Sequence, residues 1–248
     1  MSQLLVHPAA APAAATVPIQ GYLGPLQLPG IDWGYFLERR QGTLDHCTDL
    51  PAYLLLPEVE ALLKHTHDQV PHFLINTLMH TGARISEALK LTEKDFHLDG
   101  RYPEVSIPTL KTRRGRPAKN APGRTKRRLV PVMDGVYIDE ALRYFATQRR
   151  AKSAPLFPID RSTAFRWVKA AAGRLADQGQ PLSIPVTPHT LRHSFAVNAV
   201  LNWVPTAVLQ AWLGHENRDS TEIYTQVFQT ETYHFMARVG YHSGLVDE

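Results

Sequence analysis

Cysteine is almost missing from this 248-residue chain. Cys47 stands alone, which excludes a disulfide framework and any cysteine-based zinc site, and a lone thiol fits a reducing compartment. Long apolar runs are missing too: no stretch approaches the ~18 residues that a membrane-spanning helix needs. Residues 1–30 lack charged side chains altogether, yet hold six alanines and five prolines, at positions 8, 12, 18, 25 and 29. Those prolines forbid a continuous helix. Without a basic start or an unbroken apolar core, the segment is no secretory signal either. Residues 1–50 therefore read as a Pro/Ala-rich arm or linker, with Trp33, Tyr35 and Phe36 positioned to dock it onto the body. The remainder is ordinary globular sequence: the chain is 44% hydrophobic and 20% charged, long enough for one or two domains with a real core.

A strong overall charge is also absent, with 27 Lys+Arg against 23 Asp+Glu and a net charge of +4. The distribution says more. Lys111 to Arg128 carries nine basic residues and no acidic one, so taking those nine from +4 leaves −5 for the rest. A mildly acidic protein with one intensely basic element is built to meet a polyanion, nucleic acid first among them. Mutual repulsion among nine positive charges argues against a merely solvated loop.

Hydrophobic periodicity predicts a helix from Leu56, with Pro57 near its first position and Val59, Leu62 and Leu63 on one face. A second starts near Pro71 and breaks at Thr81-Gly82; a third covers Arg84 to Lys90. The period then shortens, and Pro103 to Leu110 and Arg128 to Val132 read as strands flanking the basic segment as a long hairpin loop. Helices resume over Ile138–Arg150, Ser162–Ala176, Pro188–Trp203, Pro205–Leu213 and Thr221–Phe228, with Gly214 as a C-terminal cap. The expected fold class is α+β, mainly α, with a small antiparallel sheet.

One constellation carries chemistry: His189-Thr-Leu-Arg192, then Gly214-His215, then Tyr224. Three residues apart on a helix, His189 and Arg192 share a face. Singly, a buried histidine or a packing tyrosine explains each residue. Metal binding by His189 and His193 at helical spacing lacks an acidic or cysteine ligand beside it. Together with Thr81-Gly82-Ala83-Arg84-Ile85-Ser86-Glu87-Ala88-Leu89, however, these boxes resemble the tyrosine recombinases, also called phage integrases, in order and spacing over roughly Leu54 to Phe228.

The resemblance implies a tyrosine recombinase catalytic-domain fold over 51–228 and a site-specific recombinase needing neither cofactor nor metal. Tyr224 would attack the scissile phosphate of double-stranded DNA to form a 3′-phosphotyrosyl link. Arg84 and Arg192 would clamp the phosphate, His215 would donate to it, and His189 would pass protons to and from Tyr224. Glu87 would hold Arg84. A hairpin lysine would protonate the leaving oxygen; Lys111 is the first choice, with Lys119 and Lys126 open. The DNA-contacting set is Arg113, Arg114, Arg116, Lys119, Arg124, Lys126, Arg127 and Arg128. The short N-terminal part is similar to the reduced members, such as fimbrial-type DNA invertases, and does not match a full core-binding domain. Residues 229–248, with Tyr233, Phe235 and Met236, either pack as a final helix on their own body or, the reading that the resemblance favours, are exchanged between protomers of a homo-tetramer on DNA, with accessory DNA-bending proteins as further partners. A cytoplasmic, nucleoid-associated protein of a plasmid, phage or transposon is implied. Topoisomerase IB-like relaxation, and a catalytically silent DNA-binding regulator of the same fold, are the alternatives.

Overall fold

A computed structural model describes residues 31–109 and 126–228. The chain divides into two units, Met1–Ile31 and Asp32–Glu248, and the described architecture belongs to the second. Its elements are α1 (Trp33–His46), α2 (Leu56–Lys64), α3 (Gln69–Thr81), α4 (Ile85–Ala88), β1 (Phe96–His97), β2 (Glu104–Pro108), β3 (Arg127–Pro131), α5 (Gly135–Thr147), α6 (Arg161–Asp177), α7 (Pro188–Leu201), α8 (Thr206–Leu213) and α9 (Asp219–Glu222), followed by a 3-10 helix, Ile223–Phe228. The fold is mainly helical, with one three-stranded antiparallel sheet ordered β1-β2-β3. Among the described residues no helix is long and apolar enough to cross a membrane.

Helix α3 is the spine. Phe73, Leu74, Ile75 and Leu78 on it are fully buried, and it packs against α7, α5 and α6. The Phe73 ring stacks on Tyr144 at 4.3 Å and stands edge-on to Phe145 at 6.0 Å, so aromatic burial ties α3 to α5. Helix α2 begins with the Glu58 carboxylate accepting from the Leu55 N–H at 2.8 Å, which satisfies one of the orphan donors at a helix start.

Three local outcomes differ from the sequence expectation. First, Trp33–His46, inside the expected arm, is a helix. Asp32 caps it by accepting from the Tyr35 N–H at 3.0 Å, and no proline interrupts it. Its anchor is the buried Arg40, bonded to Glu58, to the Tyr53 carbonyl at 3.3 Å and to the Ser183 hydroxyl at 2.6 Å. Trp33, Tyr35 and Phe36 remain half-buried. Second, β1 was not foreseen: two residues, paired as Phe96↔Val105 and His97↔Glu104, are too few to show an alternation. Third, Thr221–Phe228 is not one helix, since α9 gives way to the 3-10 segment at Ile223.

On β3 the side chains alternate strictly. Arg127, Leu129 and Pro131 face outward, while Arg128 and Val130 face the core. The register Ile107↔Arg128 and Val105↔Val130 fixes that assignment, because a one-residue slip would turn every side chain over. This alternation turns a basic side chain, Arg128, into the interior.

Candidate active site

Two helix ends meet at the Arg192 side chain. Helix α3 stops at Gly82, whose φ of +57° is left-handed, and a Cβ there would lie 2.4 Å from the Phe195 ring. Helix α8 stops at Gly214 in the same left-handed conformation, with φ +64°. Such ends leave carbonyls without helical partners. The Arg192 guanidinium takes two carbonyls there, donating to Gly82 O and, at 2.8 Å, to Leu213 O. One cation at two helix C-termini is also favoured by their dipoles. Arg192 is 4% exposed, and its pKa is pushed down to about 9 by burial and by the charges of Arg84 and Arg128. It remains a cation at pH 7.

Arg84 is the N-cap of α4, and Glu87 one turn later holds it twice, accepting from its N–H at 2.9 Å and from its guanidinium at 3.1 Å. Glu87 is fully buried. Its second strong partner is Arg128, which reaches in from β3 to the Glu87 carboxylate at 2.7 Å and to the Trp212 carbonyl at 2.6 Å. Burial pushes the Glu87 carboxyl up, but the hydrogen bond and charge of Arg128, joined by Arg84, outweigh it and hold the group below its ordinary value. A Cβ on Gly214 would approach Arg128 Cδ to 3.1 Å, so the glycine supplies the turn and the room for that side chain.

Helix α7 starts with Pro188 and the Thr187 cap, and its 189, 192 and 193 positions share one face. With Arg84, His215 and Tyr224 they line an open cleft of about 550 Å³, whose rim also carries Asp49 and Asp219. His189 is exposed; partial desolvation, then Arg192, Arg161 and Arg84, keep its pKa below the usual histidine value. His215 bonds through Nδ1 to the Thr221 hydroxyl at 2.9 Å. Its pKa is lowered to about 4 by burial and by Arg192, Arg84 and Arg128. Tyr224 is 2% exposed; burial raises its pKa, with Arg192 and Arg84 pulling the other way. Its hydroxyl pairs with His193 Nδ1 at 2.8 Å.

The sequence-predicted Arg84, His189, Arg192, His215 and Tyr224 thus meet in one cleft, with Glu87 directly beneath. Lys111, Arg113, Arg114, Arg116, Lys119 and Arg124 lie outside the described residues. Lys126 is exposed. Arg127 is tied to the sheet, donating to Ser106 Oγ at 2.8 Å, to Ser106 O at 2.6 Å and to Asp95. Arg128, expected among the outward basic residues, points inward because of strand alternation, and its guanidinium is spent on Glu87 and Trp212 O. Two residues carry more than their sequence context suggests. His193, in the sequence only a helical-spacing partner of His189, sits beside Arg192 and meets the Tyr224 hydroxyl. Arg128 belongs both to the basic run and to the expected strand Arg128–Val132, and the alternation of that strand is the signal that turns it inward.

A family model described as the phage integrase family matches residues 53–231. The chain belongs to that family, the tyrosine recombinases. Among its relatives, a protein called resolvase from Escherichia coli is 39% identical over 227 residues, covering 85% of this chain and 87% of the relative. A probable site-specific recombinase in the afa region of Escherichia coli is 40% identical over 203 residues, covering 81% of this chain and 80% of that one. In three dimensions the chain is similar to the XerH site-specific recombinase bound to its difH substrate, with a TM-score of 0.56 and 24% identity over 74% of this chain. The match spans 52% of XerH, about half its length. That likeness concerns the tyrosine recombinase fold.

Proposed function

We propose that this tyrosine recombinase cuts and rejoins double-stranded DNA at a specific site, through a 3′-phosphotyrosyl intermediate and a Holliday junction. One observation carries the reading: Arg84, Arg192, His189, His215 and Tyr224, from four separate stretches of chain, line a single cleft. Breaking a phosphodiester needs a nucleophile, compensation for charge on the phosphoryl oxygens, and a proton for the leaving group. Guanidiniums serve the second need with paired donors that match phosphate oxygens. Arg192 is fixed by two main-chain carbonyls and Arg84 by Glu87, so both wait in place before DNA arrives. Preorganised charge of this kind is the largest contributor to many phosphoryl and acyl transfers.

In this reading Tyr224 Oη attacks phosphorus, Arg84 and Arg192 hold the non-bridging oxygens, and His215, neutral at pH 7, adds a donor. Residues 51–228 form the catalytic domain, and a hairpin lysine, Lys111 or else Lys119 or Lys126, protonates the departing 5′-oxygen. The basic hairpin, including Arg113, Arg114, Arg116 and Arg124, follows the DNA backbone. Each phosphate it neutralises steepens the plot of log K against log salt by about 0.9. Four protomers act together, with residues 229–248 exchanged between neighbours. The covalent link conserves the phosphodiester bond energy, so rejoining needs no external energy source.

The test is strand exchange. DNA trapped on the protein is sequenced to recover the site, and two labelled copies are then incubated with the enzyme. Recombinant duplexes and a four-way intermediate are expected from the wild type and neither from Tyr224→Phe. Relaxation of supercoils without recombinants would contradict the recombinase reading, as would binding without any cleavage.

A further inference from the structure

His189 was expected to exchange protons with the nucleophile, but the phenol's neighbour is a different histidine. We infer that His193 accepts the proton of Tyr224 during cleavage and returns it during rejoining, which makes it a catalytic residue; the inference rests on the recombinase reading above.

Geometry supports it first. His193 Nδ1 lies 2.8 Å from Tyr224 Oη, within direct proton-transfer reach, and the two rings are 5.9 Å apart. His193 follows Arg192 in the chain, so the residue that fixes the phosphate and the residue that fixes the phenol share one turn of α7. His189 lies one turn earlier, exposed and lining the same cleft, and among the described residues it makes no hydrogen bond to the phenol.

The electrostatics fix the resting protonation states of the pair. Burial, then His189 and Arg192, lower the His193 pKa to about 4, so its ring is neutral at pH 7. Burial raises the pKa of Tyr224, so its phenol is protonated there. A neutral imidazole carries one N–H. In the proposed arrangement that proton sits on Nε2, and Nδ1 accepts from the phenol O–H. The groups facing this pair are His189 and Arg192 on α7, Arg84 ahead of α4, His215 after α8, Asp219 at the start of α9, and Asp49 ahead of α2. Burial comes first, and among these groups His189 and Arg192 also lower the proton affinity of His193. An entering phosphodiester brings a negative charge that offsets them and raises it when a base is needed.

The step balances. As Oη attacks, the O–H electron pair becomes the Oη–P bond and the proton moves to Nδ1. The P–O5′ bond breaks with its electrons on the 5′-oxygen, which takes a proton from the hairpin lysine. In rejoining, the 5′-hydroxyl attacks phosphorus and gives up its proton to that lysine, while Tyr224 Oη leaves and recovers its own from the His193 imidazolium.

Two measurements decide it. Single-turnover cleavage of a nicked suicide duplex is followed from pH 5 to 9 for wild type, His193→Ala, His193→Asn and His189→Ala. Asparagine keeps a hydrogen-bonding atom near the place of Nδ1 but is not basic. Both His193 variants should cleave at least about a hundredfold more slowly while binding DNA within a few-fold of wild type, and both should lose the fall in rate on the acid side of the profile. Cleavage by His193→Asn near the wild-type rate would reduce the residue to positioning and overturn the inference, as would a wild-type rate in His193→Ala. The second measurement needs no DNA. Nitrogen NMR of the free protein should show His193 with its proton on Nε2 at pH 7 and an Nδ1 resonance that moves in Tyr224→Phe. A proton on Nδ1, or no response to Tyr224→Phe, overturns the inference. Failure of wild-type cleavage with that NMR pattern intact would instead count against the recombinase reading.

Discussion

Arg192→Lys should bind DNA almost as well as the wild type and cleave it about 10²–10³-fold more slowly. The variant keeps the charge, so a simple attraction between protein and phosphate survives. What it loses is the fork. In the native protein two guanidinium nitrogens are spent on Gly82 O and Leu213 O, and the rest of the group is thereby aimed into the cleft. An ammonium satisfying those carbonyls has no planar face left to present paired donors to a phosphate. Removing one preorganised donor from a developing anion typically costs that much in rate. Single-turnover cleavage and filter binding separate the two effects. Cleavage within tenfold of wild type would show that point charge, rather than directed hydrogen bonding, is what the site supplies.

The second large effect falls on stability. Glu87→Ala leaves the Arg128 guanidinium buried with only the Trp212 carbonyl as a strong partner, and frees Arg84 from its anchor. Breaking a buried ion pair from one side costs about 3–5 kcal/mol, because an uncompensated charge remains inside. Removing both charges should cost far less. Glu87→Ala with Arg128→Met is therefore expected to recover much of the lost unfolding free energy while leaving cleavage impaired, since Arg84 stays unheld. Denaturant unfolding of the two single variants and the double variant forms the cycle. Additive losses would mean that the buried carboxylate and Arg128 do not act as a pair.

This buried pair marks the limit of what the sequence disclosed. The five cleft residues were legible because each sits in a short box with fixed spacing, and helical period alone placed α2, α3, α6, α7 and α8 to within a few residues. Arg128 was not legible as an internal residue. In a run of nine basic positions, composition announces a surface, and only strand pairing reveals that alternate side chains turn inward. His193 was hidden for a related reason. Its neighbour His189 occupies the position that the family resemblance favours, and only the fold of the 3-10 helix at Ile223–Phe228 decides which ring the phenol reaches. Helix α1 was obscured by the proline-rich segment before it, although Asp32 offered a cap and the next eighteen residues contain no proline.

In the proposed mechanism one phenol and two guanidiniums serve a single phosphorus atom. Its most direct test is to trap the covalent complex on a nicked suicide duplex, digest it, and identify by mass spectrometry the peptide that carries the nucleotide phosphate. The modification is expected on Tyr224 alone, linked through the 3′-phosphate with a free 5′-hydroxyl on the other fragment, as the proposed mechanism requires. A phosphate on any other residue, or a 5′-linked adduct, contradicts it.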